Sequence, residues 1–164
     1  MRMERVLVIG CPGSGKSTFA RALAERTGLP LYYLDMLFHR PDRTTVSHGD
    51  FDAALGRLLA EDRWILDGNY ARTLPVRLAR CDQVFWLDYP TELCLESVRG
   101  RRGQVRPDMP WVETEEDPEF MAYIARFRQD RRPEMEAILE RSGREVTVFR
   151  TREEAAAFLS SLER

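Results

Sequence analysis

The chain has little lysine and cysteine, no excess of either charge and no long apolar run. Its 25 basic and 27 acidic residues leave a formal net charge of -2, so it lacks the basic surplus that is typical of nucleic-acid-binding proteins. No apolar stretch approaches the ~20 residues that a membrane-spanning helix needs. Cys11, Cys81 and Cys94 are odd in number and have no metal-binding spacing, which indicates reduced thiols in a cytoplasmic protein.

The composition is that of an ordinary globular domain. Hydrophobic residues make up 43 % and charged residues 32 % of the 164 residues, which is enough for one domain with its own core. We therefore expect a single domain over residues 1–164, without internal repeats or linkers. Because a predicted strand begins almost at the first residue, we also expect no signal peptide.

The only lysine of the chain, Lys16, lies in a glycine-rich segment. Residues 10–17 read Gly-Cys-Pro-Gly-Ser-Gly-Lys-Ser, after an aliphatic and β-branched run at 3–9 and before a helical pattern at 18–26. A strand, a glycine loop ending in Lys-Ser and a helix, in this order, are typical of a phosphate-binding loop. A dinucleotide-binding fingerprint fits less well because it lacks the Lys-Ser pair.

The chemistry of such a loop assigns roles to its residues. The glycines let backbone N–H groups approach phosphate oxygens, and the helix N-terminus adds partial positive charge. We therefore expect Lys16 to reach the β- and γ-phosphates of ATP as a catalytic residue, and the Ser17 hydroxyl to bind Mg²⁺. The predicted nucleotide-binding residues are Gly10, Cys11, Pro12, Gly13, Ser14, Gly15, Lys16, Ser17 and Thr18.

Strand and helix patterns alternate along the rest of the chain. After the first strand and helix, the predicted strands are 31–34, 63–66, 83–87 and 145–149. The predicted helices are 51–61, 73–80, 91–102, 118–141 and a last one beginning after Thr151. This alternation indicates an α/β fold with a parallel sheet and helices on both faces.

Three acidic residues, Asp35, Asp67 and Asp88, each end a predicted strand. Ligands of such sheets bind at the carboxyl ends of the strands. We therefore expect these three residues on the same edge of the sheet as the glycine loop.

Five segments of the chain occur together in an order that resembles one bacterial family. They are 8–18, 33–35, the Trp-Ile-Leu-Asp-Gly-Asn-Tyr run at 64–70, 87–90, and the Arg-Pro-Asp-Met run at 106–109. Over nearly its whole length the chain resembles the family labelled "DNA topology modulation protein", which is related to the adenylate kinases. The resemblance implies a P-loop kinase fold, with a five-stranded parallel sheet in the order 2-3-1-4-5 and an arginine-bearing lid, here at about 99–117. The low net charge gives the DNA label no physical support.

The resemblance also implies roles for the acids at the strand ends. In adenylate kinases a similar Asp-Gly segment helps to hold Mg²⁺ through water, so we favour Asp67 as the metal-supporting carboxylate, with Asp88 as the rival. In small-molecule kinases of similar fold, an acid after the second strand orients or deprotonates the acceptor hydroxyl, which here is Asp35. A turn residue that caps local backbone is the structural alternative for all three acids. His39 and Arg40 follow Asp35 and either line the same pocket or lie in an exposed loop.

Arginines cluster in the region where the resemblance implies a lid. The catalytic candidates are Arg102 and Arg106, which would stabilise charge on the transferring phosphoryl group; Arg99 and Arg101 lie beside them. A solvated helix end is the alternative. A second set is Arg128, Arg131 and Arg132. A nucleic-acid patch is disfavoured, because the arginine clusters lack interleaved aromatic residues and Glu113 to Asp117 lie close by. Trp111, Phe120, Tyr123 and Phe127 fit a helix core better than base stacking.

The sequence thus predicts an ATP- and Mg²⁺-dependent phosphotransferase that acts on a small-molecule or nucleotide acceptor. The alternative is a nucleotide-binding regulatory protein with slow ATP hydrolysis and a macromolecular partner. An AAA-type motor is disfavoured because the chain is too short for a core and a helical lid domain.

Overall fold

A computed structural model describes residues 2–162 of the chain, in which strands and helices alternate. The strands are β1 Arg5–Gly10, β2 Leu31–Tyr33, β3 Trp64–Asp67, β4 Gln83–Leu87 and β5 Val146–Phe149. The α-helices are α1 Lys16–Thr27, α2 Leu34–Phe38, α3 His48–Leu59, α4 Leu74–Leu78, α5 Thr91–Arg101, α6 Pro118–Asp130, α7 Arg132–Ser142 and α8 Arg152–Ser161. A 3₁₀ turn, Ala71–Thr73, precedes α4.

All five strands are parallel and lie in the order β2-β3-β1-β4-β5, which confirms the predicted sheet. From β1 the chain crosses to β2 on one side, and from β3 it crosses to β4 on the other. Because such crossovers are right-handed, the reversal places α1 on one face and α3 and α4 on the opposite face. The glycine loop after β1 therefore lies at the switch point between β3 and β4, where open α/β sheets bind ligands.

The core lies on both faces of the sheet. Strands β1 and β3 are buried almost throughout, as expected of parallel strands covered on both sides. Between α1, α8 and strands β4 and β5, the rings of Phe19, Phe85, Phe149 and Phe158 pack together, with centroids 5.0 to 6.0 Å apart. Helix α4 packs against α7. This packing fixes the strand ends on which the candidate site is built.

Three helices begin at short side chains that accept hydrogen bonds from free backbone N–H groups. Ser47 accepts from Asp50 N at the start of α3, Asp117 accepts from the first turn of α6, and Thr151 accepts from Glu154 N at α8.

None of the helices between residues 2 and 162 has both the length and the hydrophobicity that a membrane crossing requires.

Two predicted elements are wrong in detail. The long helix over 118–141 is two helices, α6 and α7, because Pro133 has no backbone N–H to donate and its ring clashes with the carbonyl four residues earlier, so that α6 ends at Asp130 and Pro133 lies in the first turn of α7. The second strand ends at Tyr33 rather than at 34, and a short helix, α2, begins at Leu34. Asp35 therefore lies in the first turn of a helix and not in an open turn.

Candidate active site

The glycine loop between β1 and α1 has a backbone that larger residues would not adopt. Gly13 has φ +86°, and a Cβ atom built there would lie 2.3 Å from the carbonyl oxygen of Cys94 on α5. Gly15 has φ +92° and stands immediately before α1. Both positions need a residue without a Cβ atom or with free access to positive φ. The glycines thus let the loop fold tightly against α5, and within it the Ser14 N–H donates to the Cys11 carbonyl oxygen at 3.0 Å.

The side chains at the end of the loop stand at the start of α1. The Lys16 Nζ folds back to donate to the Cys11 carbonyl oxygen at 3.5 Å. The Ser17 hydroxyl accepts a hydrogen bond of 2.6 Å from Arg21, which also donates to Thr18. An ammonium and a hydroxyl therefore stand together at a helix N-terminus, where partial positive charge favours anions.

Asn69 holds the first residue of the loop from the side of β3. Its Oδ1 accepts from Gly10 N at 2.9 Å, and its Nδ2 donates to Gly10 O at 2.7 Å. The last backbone hydrogen bond between these strands runs from Gly68 N to Val8 O at 3.1 Å. The Asn69 amide thus takes the place of the next peptide group after β3 has ended. Sequence reasoning included Asn69 in a motif but assigned it no role.

Asp67 ends β3 and faces the loop. Its residue is 6 % exposed. Burial raises the pKa of its carboxyl to about 7, while the Lys16 ammonium acts in the opposite direction. Asp35 and the Asp108 carboxylate raise that pKa further. A buried carboxylate that its neighbouring cations do not fully compensate fits a site for additional positive charge.

Asp88, the rival acid, has a different environment. It is 8 % exposed and pairs with Arg132 at 2.9 Å, with Arg150 at 3.1 Å and with Arg128 at 3.4 Å. The Arg132 guanidinium also lies 5.2 Å from the centre of the Trp86 ring. Asp88 thus joins the end of β4 to α6, α7 and the segment before α8, and its charge is already matched.

Asp35 lies on the other side of the loop from Asp88, at the β2 end of the cleft. The Tyr70 hydroxyl donates to Asp35 Oδ1 at 2.6 Å. Burial, together with the Asp35 charge, raises the pKa of the Tyr70 phenol. The Tyr70 ring packs on Phe38 and Phe51, with centroids 5.5 and 5.2 Å away. The Tyr70 hydroxyl therefore holds the Asp35 carboxylate, and the packed rings of Phe38 and Phe51 hold Tyr70 in place.

The connection over residues 102–117, which we call the lid segment, brings arginines and acids over the cleft. Arg106 is 3.0 Å from Glu113 and 3.7 Å from Asp108, and Arg101 at the end of α5 is 3.9 Å from Glu113. Burial lowers the pKa of Arg101, with Arg106 adding to that effect.

A second, more exposed group lies further along the lid segment. Arg102 and Arg99 both approach Glu116 Oε1 at 3.4 Å. In this state the lid arginines are thus paired with two glutamates, Glu113 and Glu116.

The prediction that Trp111 belongs to a helix core is wrong. Trp111 lies in the lid segment and lines the cleft, with the Arg43 guanidinium 4.8 Å from the centre of its ring and the His39 ring 6.1 Å away. Arg43 also donates to the Val112 carbonyl oxygen at 3.2 Å. The loop after α2 and the lid segment therefore meet over the β2 end of the cleft. Neither a helical nor a strand pattern marks this contact in the sequence.

One cleft of about 1320 Å³ is lined by the end of the glycine loop, by Asp35 and Asp67 and by the lid segment, whereas Asp88 is not among its lining residues. The cleft brings together most predicted site residues, namely Pro12, Gly13, Gly15, Lys16, Ser17, Thr18, Asp35, Asp67, Arg102 and Arg106. Gly10, Cys11 and Ser14 are not among the lining residues, and Cys11 and Ser14 are buried behind the loop. His39 lines the cleft, but Arg40 does not. Of the second arginine set, Arg131 lines the cleft, whereas Arg128 and Arg132 bind Asp88.

Comparison with known proteins supports the fold. No protein-family model matches the chain, and no curated protein matches it either. Among solved structures, a shikimate kinase from Acinetobacter baumannii in complex with shikimate superposes with a TM-score of 0.66 at 19 % identity, over 96 % of this chain and 89 % of that one. A shikimate kinase from Bacteroides thetaiotaomicron gives 0.64 at 17 % identity, over 97 % and 95 %. The chain therefore shares its fold with these two proteins, while membership of the topology modulation family stays a prediction.

Proposed function

We propose that this protein is an ATP- and Mg²⁺-dependent phosphotransferase that acts on a small-molecule acceptor. The observation that carries the proposal is the arrangement of one cleft: a complete glycine loop with Lys16 and Ser17, Asp67 beside it, and Asp35 at the β2 end. Phosphoryl transfer needs positioning and charge stabilisation more than covalent chemistry. This cleft offers both.

On the donor side, the loop N–H groups and Lys16 would hold the phosphates of ATP. The Ser17 hydroxyl and, through water, the Asp67 carboxylate would hold Mg²⁺, which prefers oxygen ligands and keeps several waters. The buried, incompletely compensated charge of Asp67 fits this ion. Among residues 2–162 no three acidic, histidine or cysteine side chains converge on a metal position, which agrees with a metal held largely by phosphate and water. When bound, Mg²⁺ would neutralise charge on the transferring group.

On the acceptor side, Asp35 would orient the hydroxyl that attacks the γ-phosphate. The Tyr70 hydroxyl occupies one carboxylate oxygen of Asp35, which lines the cleft, and the second oxygen would accept from the acceptor hydroxyl. One of the similar structures was solved in complex with shikimate, a small hydroxylated ring. By analogy we propose a small hydroxylated acceptor for this chain, without committing to shikimate.

Arg102 and Arg106 would act on the transferring phosphoryl group. At present their charges are matched by Glu116 and Glu113, and phosphate oxygens would take the place of these carboxylates when ATP binds. Such replacement costs less for Arg102, whose side chain is 37 % exposed, than for Arg106, whose side chain is 14 % exposed.

The free, buried cysteines Cys11, Cys81 and Cys94 agree with the proposal that the protein works in the reducing cytoplasm.

The test is ADP formation from MgATP in the presence of a panel of hydroxylated metabolites and nucleosides, with duplex DNA as a separate arm. The proposal expects one class of small molecules to stimulate ADP formation well above the background hydrolysis. Stimulation by DNA alone would instead favour a nucleotide-binding regulator with a macromolecular partner. No binding of MgATP by calorimetry would refute both readings.

A further inference from the structure

A buried arginine outside the predicted site lies beneath the segment that follows Asp67. Arg77, on α4, is 0 % exposed. Its Nη1 donates to Gly68 O at 3.1 Å, its Nη2 donates to Tyr70 O at 3.1 Å and to Asn69 O, and its Nε donates to the Thr73 hydroxyl at 3.2 Å. One guanidinium therefore binds three consecutive backbone carbonyls.

The three residues whose carbonyls Arg77 binds reach both sides of the cleft. The Asn69 amide pairs with both backbone groups of Gly10, the first residue of the glycine loop. The Tyr70 hydroxyl holds Asp35 at the acceptor end. Gly68 directly follows Asp67. A shift of this segment would therefore move donor-side and acceptor-side groups together.

The segment has a conformation that needs such support. Tyr70 has φ +38°, a left-handed conformation that is unfavourable for a residue with a Cβ atom and persists only where the surroundings enforce it. Three successive carbonyls directed to one point would also repel one another without a cation between them. Arg77 supplies that cation with a planar set of donors, which a lysine ammonium does not reproduce.

Burying a full charge away from water is unfavourable, and an apolar side chain would fill the same space at a lower cost in desolvation free energy. The donors of Arg77 go to carbonyls and a hydroxyl rather than to a carboxylate, so pairing of opposite charges does not explain its place. Burial lowers the pKa of Arg77 to about 9, which keeps the group charged at neutral pH.

We propose that Arg77 is a positioning residue for phosphoryl transfer, which keeps Asn69 on the glycine loop and Tyr70 on Asp35. Its effect on the loop depends only on the contacts described above. Its effect on transfer rests on the proposed function of the cleft.

The first test is amide hydrogen exchange of Gly10, followed by NMR in the free protein. Arg77→Lys keeps a positive charge but not the three-way contact, and we expect Gly10 to exchange about tenfold faster or more, since a local hydrogen bond is lost. The amides of Leu7 and Ile9 on the same strand are internal references, because a general loss of stability would accelerate them as well. Arg80→Lys is the matched control: within residues 2–162 the Arg80 guanidinium donates to the Leu59 carbonyl alone, and its replacement should leave Gly10 exchange unchanged.

The second test separates the donor-side contact of Asn69 from the acceptor-side contact of Tyr70. Asn69→Ala should weaken MgATP binding, Tyr70→Phe should raise the acceptor KM while MgATP affinity stays near normal, and Arg77→Lys should do both. A folded Arg77→Lys protein with wild-type Gly10 exchange and MgATP affinity would overturn the inference. If Arg77→Lys does not fold, unchanged Gly10 exchange in Asn69→Ala would overturn it instead. Faster Gly10 exchange in a protein whose wild type binds no MgATP would refute the proposed function and leave the link from Arg77 to the loop supported.

Discussion

Asp67→Asn should make the free protein more stable at neutral and alkaline pH, although it removes a group of the candidate magnesium site. Asp67 is 6 % exposed, and burial is the main reason why the pKa of its carboxyl rises from 3.8 to about 7. Between these two values the folded chain holds a proton that the unfolded chain has released. The free energy of unfolding therefore falls as the pH rises through this window.

The size of the effect follows from the same two pKa values. At ~1.36 kcal/mol per pKa unit, the difference between 3.8 and about 7 corresponds to about 4 kcal/mol. Asparagine has no charge to bury, but its amide needs new hydrogen-bond partners, which costs about 1 kcal/mol or more. We expect a net gain of about 1 to 3 kcal/mol near pH 8 and no gain near pH 4.

Urea unfolding followed by tryptophan fluorescence between about pH 4 and pH 8 measures this gain. Asp88→Asn is the matched control, since Asp88 is similarly buried, at 8 % exposed, but its charge is matched by Arg128, Arg132 and Arg150. That control should lose about 2 kcal/mol near pH 8, because it leaves these arginines without their counter-charge. A gain for Asp67→Asn that is equal near pH 4 and pH 8, or no gain near pH 8, would refute the reasoning.

Four further substitutions test other parts of the cleft. Lys16→Ala should leave the fold intact and reduce MgATP turnover by about 10²-fold or more, and a folded variant with normal turnover would remove the phosphate-loop assignment. Arg102→Ala and Arg106→Ala should lower kcat more than MgATP affinity; steady-state kinetics showing weaker MgATP binding with normal kcat would make both arginines ground-state contacts. Gly13→Ala should destabilise the protein by at least about 2 kcal/mol in urea unfolding, because its methyl group would lie 2.3 Å from the Cys94 carbonyl oxygen at a positive φ, and an unchanged midpoint would show that the loop is free to move.

The parts of the site that could be predicted from sequence are those whose chemistry lies in adjacent residues. The glycine loop over 10–17 carries its own turn, charge and hydroxyl, so the motif alone indicated it. The alternation of strand and helix patterns placed Asp35 and Asp67 on the loop's edge of the sheet. The split of the predicted 118–141 helix at Pro133 follows from the missing proline N–H and could have been predicted as well.

Other features depend on contacts between distant segments, which no local pattern reports. Asn69 matters because β3 ends two residues before it while β1 continues to Gly10. Arg77 reads as one more arginine of an amphipathic helix until the carbonyls of 68–70 are found around it. Trp111 lies in the lid segment, which contacts the loop after α2 through Arg43, a residue distant in sequence.

Product analysis of acceptor-stimulated transfer in wild type and Asp35→Asn tests the central claim most directly. Asn keeps the size of Asp35 and much of its hydrogen bonding but removes the charge and most of the basicity. With ATP labelled at the γ-phosphate, Mg²⁺ and the most stimulating acceptor of the panel, wild type should transfer the label to the acceptor. Asp35→Asn should bind MgATP normally and retain slow hydrolysis, yet lose transfer by about 10²-fold or more, the scale of a positioned general base. Label that appears only as inorganic phosphate with every small acceptor, or full transfer by Asp35→Asn, would contradict the account.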